Sequence, residues 1–301
     1  MGAEAMTGPS AFERMLAPLR RLLPARFRSD IPIVPVVRLA GVIGISTPLK
    51  PGLTLASVAR VLERAFSMRN VKAVALAVNS PGGAAVQSHL IYRRIRALAE
   101  EKKLPVIAFV EDVAASGGYM IACAADEIVC DDASIVGSIG VIGGSFGFDK
   151  LIDKLGIERR IYTSGERKAM LDPFLPEKPE DVERLKAIQR EIHEGFIALV
   201  KARRDGKLDS RETALFSGEY WTGERARQLG LVDAIGDLRG VLRERYGEEL
   251  RIPVIAERGL FGRRLAGVNR GDPEVLGNGP SLAEDLVATI EARALWARYG
   301  L

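Results

Sequence analysis

The chain has 301 residues, 47% of them hydrophobic and 27% charged, which is the make-up of a globular protein with one large core or two modest ones. A formal net charge of +4, with basic and acidic residues interleaved, is too weak and too dispersed for a nucleic-acid binder. The only histidines are His89 and His193, and the two cysteines lack ligand spacing, so no zinc centre can be drawn and no cofactor is called for.

Residues 1–30 read as a separate basic arm. Five arginines and no acids fall between Arg14 and Arg28, mixed with Met15, Leu16, Leu19, Leu22 and Leu23, while Pro18 and Pro24 interrupt any long helix. The stretch 11–28 is either a peripheral contact with an anionic membrane or a partly disordered leader. It lacks the apolar core of a secretory signal. The longest uncharged stretch, 73–92, contains Asn-Ser-Pro-Gly-Gly and makes a poor spanning helix. The expected location is the cytoplasm or the inner face of the membrane.

From residue 33 onward, β-rich runs alternate with helical ones. Strands are expected over 36–45, 71–78, 105–110, 127–130, 135–142 and 157–163, and helices over 55–67, 84–101, 117–125, 147–155 and 179–204. That alternation predicts an α/β fold with a largely parallel sheet and flanking helices. Thr222 is expected to cap a short helix that Gly230 closes. Cys123 and Cys130 lie in an apolar stretch and read as buried free thiols of a reducing compartment. Past residue 250 the pattern weakens to a Gly/Arg-rich linker, 259–279, and a last amphipathic helix from Ser281 to near Tyr299, read as a packing or oligomer contact. The expected organisation is an arm (1–30), one catalytic domain (31–250), and a linker with its helix (251–301).

Three glycine-rich loops follow strand-like runs: Asn79-Ser80-Pro81-Gly82-Gly83, Ala115-Ser116-Gly117-Gly118-Tyr119 and Gly137-Ser138-Ile139-Gly140-Val141. In a parallel sheet, loops at the carboxyl ends of strands converge on one crevice. Ser116, at a strand-to-helix turn among small residues, is placed as a nucleophile. The Gly117 amide at the helix start and the Gly83 amide can face a developing oxyanion; Pro81 has no N–H to offer. A serine needs a base. His89 and His193 read as surface helix residues, which leaves Lys168, after Tyr162-Thr163-Ser164-Gly165-Glu166-Arg167. Its amine must be neutral to act, through burial or a neighbouring cation.

Taken together and in this order, the three loops, Ser164-Gly165 with Lys168, and Thr222-Gly223 leading to Gly230-Leu231-Val232-Asp233 resemble the signal peptide peptidase A family of serine peptidases. The resemblance covers roughly residues 33–240. It implies a Clp-protease/crotonase-like fold, a Ser-Lys dyad at Ser116 and Lys168, and oxyanion donors at Gly83 and Gly117. It also implies an auxiliary Ser138 beside the lysine, peptide or protein substrates such as signal-peptide remnants, and a homo-oligomeric ring with serine and lysine from neighbouring subunits. A Clp-type protease would place a histidine after its serine, where this chain reads Gly140-Val141-Ile142-Gly143. A crotonase-type enzyme would need neither Ser116 nor Lys168.

Overall fold

The structure is a computed structural model describing residues 31–44, 52–165, 167–256 and 282–301; the basic arm and most of the linker lie outside the described residues. The strands are β1 (Val36–Ala40), β2 (Val74–Ser80), β3 (Val106–Ala115), β4 (Glu127–Cys130), β5 (Ile135–Gly137), β6 (Tyr220–Thr222), β7 (Ala234–Ile235) and β8 (Val254–Ile255). They form one eight-stranded sheet in the order β6-β5-β3-β2-β1-β8, with β4 joining β3 to β7. Every pairing is parallel except β5 with β6. The architecture is thus the largely parallel α/β sheet that the sequence predicts.

The strand pleat separates two cores. Val74, Leu76 and Val78 of β2, with Val106, Ala108 and Val110 of β3, face the larger core, while Ala75, Ala77, Ile107 and Phe109 face a smaller one. Helices α1 (Leu55–Phe66), α2 (Ala85–Lys102) and α3 (Gly117–Ala122) cover the larger core. Thr54 starts α1 with a reciprocal capping box to Ser57, and Lys103 ends α2 in the left-handed region at φ 51°. The outer segments are α4 (Asp149–Lys154), α5 (Pro179–Arg203), α6 (Gly223–Gln228), α7 (Leu238–Tyr246) and α8 (Leu282–Ala297).

Strand β3 changes partner along its length. Ile107–Val110 pairs with β4, and after an irregularity opposite Val78 and Ser80, Val113–Ala115 pairs with β5. Glu111 and Asp112 turn outward at that break, where Arg38 meets Glu111 at 2.8 Å and Asn79 donates to Asp112 at 2.6 Å. The second half of β3 carries Ser116 past the main sheet.

Four expectations need correction. Residues 157–163 form no strand, because no neighbouring strand among the described residues is available to pair with them, and Ile157 and Tyr162 stay exposed. The run 135–142 pairs only as far as Gly137, because Ser138 at φ 52° turns the chain out of the ladder. Thr222 stands at the start of α6 but its side chain accepts no capping bond; the Glu224 amide donates instead to the Asp132 carbonyl at 3.3 Å. Beyond residue 250, Val254 and Ile255 extend the sheet along β1, so the folded unit continues past that boundary.

Candidate active site

Ser116 lies between β3 and α3 with φ 52° and ψ −121°, a backbone that an L-residue adopts only when its surroundings enforce it. The enforcement comes from both sides. Its amide donates to the Gly137 carbonyl at 2.8 Å, and its carbonyl accepts from the Met120 amide at 3.0 Å. The side chain is half-buried and makes no hydrogen bond among the described residues, so its hydroxyl is free to react.

The first glycine loop abuts this turn. A Cβ on Gly82 would stand 2.8 Å from the Ser116 Cβ and 3.1 Å from the Gly117 nitrogen. Next to it, Ile43 forms a parallel bridge centred on Gly83: the Ile43 amide donates to the Gly82 carbonyl at 2.8 Å, and the Ala84 amide donates to the Ile43 carbonyl at 2.9 Å. That pattern leaves the Gly83 N–H unused on the exposed side. Gly83, at φ 139°, cannot carry a side chain, since a Cβ would run into the Ile43 carbonyl oxygen. The Gly117 amide, first in α3, likewise has no partner among the described residues. Two unpaired main-chain donors therefore flank the serine.

Ser138 follows the Gly137 carbonyl that holds Ser116, and it shares the same unusual φ of 52°. Its amide donates to the Glu219 carbonyl at 2.6 Å, and its hydroxyl accepts from the Tyr299 hydroxyl at 3.2 Å. The three loops converge as the sequence predicts.

Lys168 is placed differently. It is exposed, and its ammonium makes no hydrogen bond or ion pair among the described residues, with Ser116 or any other group. The segment 141–177 that carries it bonds chiefly with itself. Phe148 donates its amide to the Pro173 carbonyl at 2.6 Å, Arg159 pairs with Asp172 at 3.0 Å, and Phe148 stacks on Phe174 with ring centres 5.5 Å apart. Large apolar side chains of this segment point outward, Ile142 at 75%, Phe146 at 78% and Tyr162 at 90% exposure. The two histidines take no part: His89 stacks on Tyr92, and the His193 Nε2 lies 3.1 Å from the Ile139 carbonyl oxygen. Cys123 and Cys130 are buried free thiols, both pushed up to about 12 by burial, which removes them as nucleophiles.

Behind α3 lies a partly buried ion-pair cluster. Arg204 meets Asp233 at 2.7 Å, Lys207 meets the same carboxylate at 2.6 Å, and the Ile128 amide donates to it at 2.8 Å. Burial pulls Asp233 toward the neutral form, and these donors more than offset it, leaving its carboxyl below the usual range. The Tyr119 hydroxyl, one turn along α3 from Ser116, donates to the Leu231 carbonyl at 2.8 Å. This explains why the segment 230–233 belongs with the glycine loops. Residues that sequence reasoning missed are Ile43, Glu219 and Tyr299, each defined by a tertiary contact and not by a local pattern.

Comparison with known proteins places the chain in a family. The profile described as peptidase family S49 matches residues 98–248. The "Na(+)/H(+) antiporter NhaA" of Brucella abortus is 54% identical over 287 residues, 94% of this chain and 39% of that protein. The chain thus spans about two fifths of the length of that relative. The "Serine protease SPPA, chloroplastic" of Arabidopsis thaliana is 35% identical over 68% of this chain and 31% of its own. The "Putative protease MJ0651" of Methanocaldococcus jannaschii is 35% identical over 69% of each. Among solved structures, a mutant of the "1510-N membrane-bound stomatin-specific protease" in complex with a substrate peptide gives a TM-score of 0.48 at 17% identity, covering 87% of this chain and 98% of that one. No helix among the described residues is long and apolar enough to cross a membrane. By the profile match and the shared identity over most of its length, the chain belongs to peptidase family S49.

Proposed function

We propose that the chain is a serine endopeptidase in which Ser116 is the nucleophile and Lys168 the general base, acting on signal-peptide remnants or other short, hydrophobic peptides. The observation that carries this reading is the strained Ser116 turn flanked by the unpaired amides of Gly83 and Gly117. The Ser116 hydroxyl adds to the scissile carbonyl carbon while its proton passes to the neutral Lys168 amine. The carbonyl oxygen becomes an oxyanion between the two amides. Collapse breaks the C–N bond, the lysine returns the proton to the leaving amine, and water hydrolyses the acyl-serine ester by the same steps.

In this reading the lysine comes from a neighbouring copy in a ring-like homo-oligomer, and Ser138 hydrogen-bonds it. The support is an exposed Lys168, unpaired among the described residues, on a segment whose apolar side chains face outward. The arginines between Arg14 and Arg28 support a peripheral contact of such an assembly with an anionic membrane surface. An active-site fluorophosphonate tests the chemistry. The expected result is labelling at Ser116 that is lost in Ser116→Ala and in Lys168→Ala. Undiminished labelling of Lys168→Ala would remove that lysine from the mechanism.

A further inference from the structure

The helix α8 ends against the candidate site. Tyr299, 9% exposed, packs with Val113 and Ala115 of β3, with Trp296 and Ile135 alongside. Its ring meets Tyr220 edge-on, with centres 5.0 Å apart at 72°, and the Tyr220 hydroxyl donates in turn to the Arg298 carbonyl at 3.2 Å. The Tyr299 hydroxyl thereby reaches the Ser138 Oγ at 3.2 Å.

Ser138 is 5% exposed, and among the described residues Tyr299 is the only hydrogen-bond partner of its hydroxyl. A serine hydroxyl has one proton to give and two lone pairs to receive on. The tyrosine fills one lone pair, which fixes the Ser138 rotor and leaves its proton and second lone pair for one further group. The backbone at Ser138 is already fixed by Glu219, and Gly137 next to it holds the Ser116 amide. The side chain was the remaining freedom, and Tyr299 removes it.

We infer that Tyr299 is a positioning residue of the peptidase: its hydroxyl orients Ser138 so that Ser138 can hold the lysine amine in line with Ser116. The inference rests on the proposed Ser116–Lys168 chemistry. The Tyr299 hydroxyl makes no hydrogen bond to Ser116 among the described residues and acts through Ser138. It also gives α8 a task beyond packing.

The test compares Tyr299→Phe, which keeps the ring on Tyr220 and removes only the hydroxyl, in the parent and in Ser138→Ala. Turnover of a fluorogenic apolar peptide gives kcat and KM, and fluorophosphonate labelling reports Ser116 separately. In the parent, Tyr299→Phe is expected to lower kcat about 2- to 10-fold, the size of one net hydrogen bond, with KM unchanged. In Ser138→Ala it is expected to lower kcat no further, because the partner is already gone. A parental kcat in Tyr299→Phe, a raised kcat, or an equal drop in both backgrounds would overturn the inference. A parent protein that fails to label at Ser116 would instead sink the peptidase reading, and this inference with it.

Discussion

The serine side and the lysine side of the candidate site are built on opposite terms. Around Ser116, three loops lock together through main-chain hydrogen bonds, and the core behind α3 is closed. Around Lys168, the segment 141–177 bonds with itself and leaves Ile142, Phe146 and Tyr162 in solvent. Exposed large side chains on one segment are what an interaction surface would cover. In the proposed reading, one chain supplies the nucleophile and its oxyanion donors, while the base stands on a segment that a neighbouring copy completes. On that reading, an unassembled chain holds Ser116 without its base.

Complementation between inactive variants separates the two sides of the site most sharply. Ser116→Ala and Lys168→Ala are each expected to lose activity by on the order of 10³-fold or more. If serine and lysine meet across subunits, mixing and reassembling the two inactive proteins creates some interfaces with both residues intact. Activity should then return to roughly a quarter of the parental value, the share of interfaces expected from random mixing of two equal populations. If both residues served the same subunit, no mixture would recover anything. A flat, inactive mixing curve would therefore place the dyad within one chain.

A smaller effect is expected from the apolar surface. Phe146→Asp with Tyr162→Asp should leave the single chain folded, because both side chains are exposed in it. Burying each such side chain at an interface contributes about 1.5–3 kcal/mol, so two aspartates should shift sedimentation toward monomer and lower turnover in parallel. A double variant that sediments and turns over like the parent would show that this face is not the interface.

These contrasts bear on what could be read from the sequence. Convergence of the loops at 82–83, 116–117 and 137–138 was legible because parallel strands deliver their carboxyl-end loops to one side, and each loop ends an apolar run. The β3 partner change was not, since Glu111 and Asp112 inside 106–115 look like the start of a loop until β4 and β5 are both seen on the same strand. Ile157, Ile161 and Tyr162 give 157–163 a strand-like look, interrupted by Glu158, Arg159 and Arg160, without naming what would pair with it. Local periodicity registers that a side chain avoids water, and a partner outside the chain leaves the same trace as a strand inside it. Tyr299 was invisible for the opposite reason: its role is set by Ser138, far away in sequence, and its helix pattern would look the same without that contact.

The pre-formed side makes the smallest but most specific prediction. Asp233 is held by Arg204, Lys207 and the Ile128 amide, with its carboxyl below the ordinary range in the folded chain. An acid whose folded pKa is depressed binds fewer protons folded than unfolded. Its stabilising effect is therefore complete above the unfolded value of about 3.9 and is lost as pH falls through the lower folded value. Arg204→Met removes one of the two cations on a partly buried carboxylate that keeps Lys207 and the Ile128 amide, at a cost of about 1–3 kcal/mol near neutrality. Chemical denaturation from pH 7 down to pH 3 should show the gap between parent and variant narrowing below about pH 4, as protonation makes the missing cation irrelevant. A gap that stays constant over that range would mean that Arg204 supports the nucleophile helix through packing alone, and that the charge on Asp233 contributes nothing to the half of the site built within one chain.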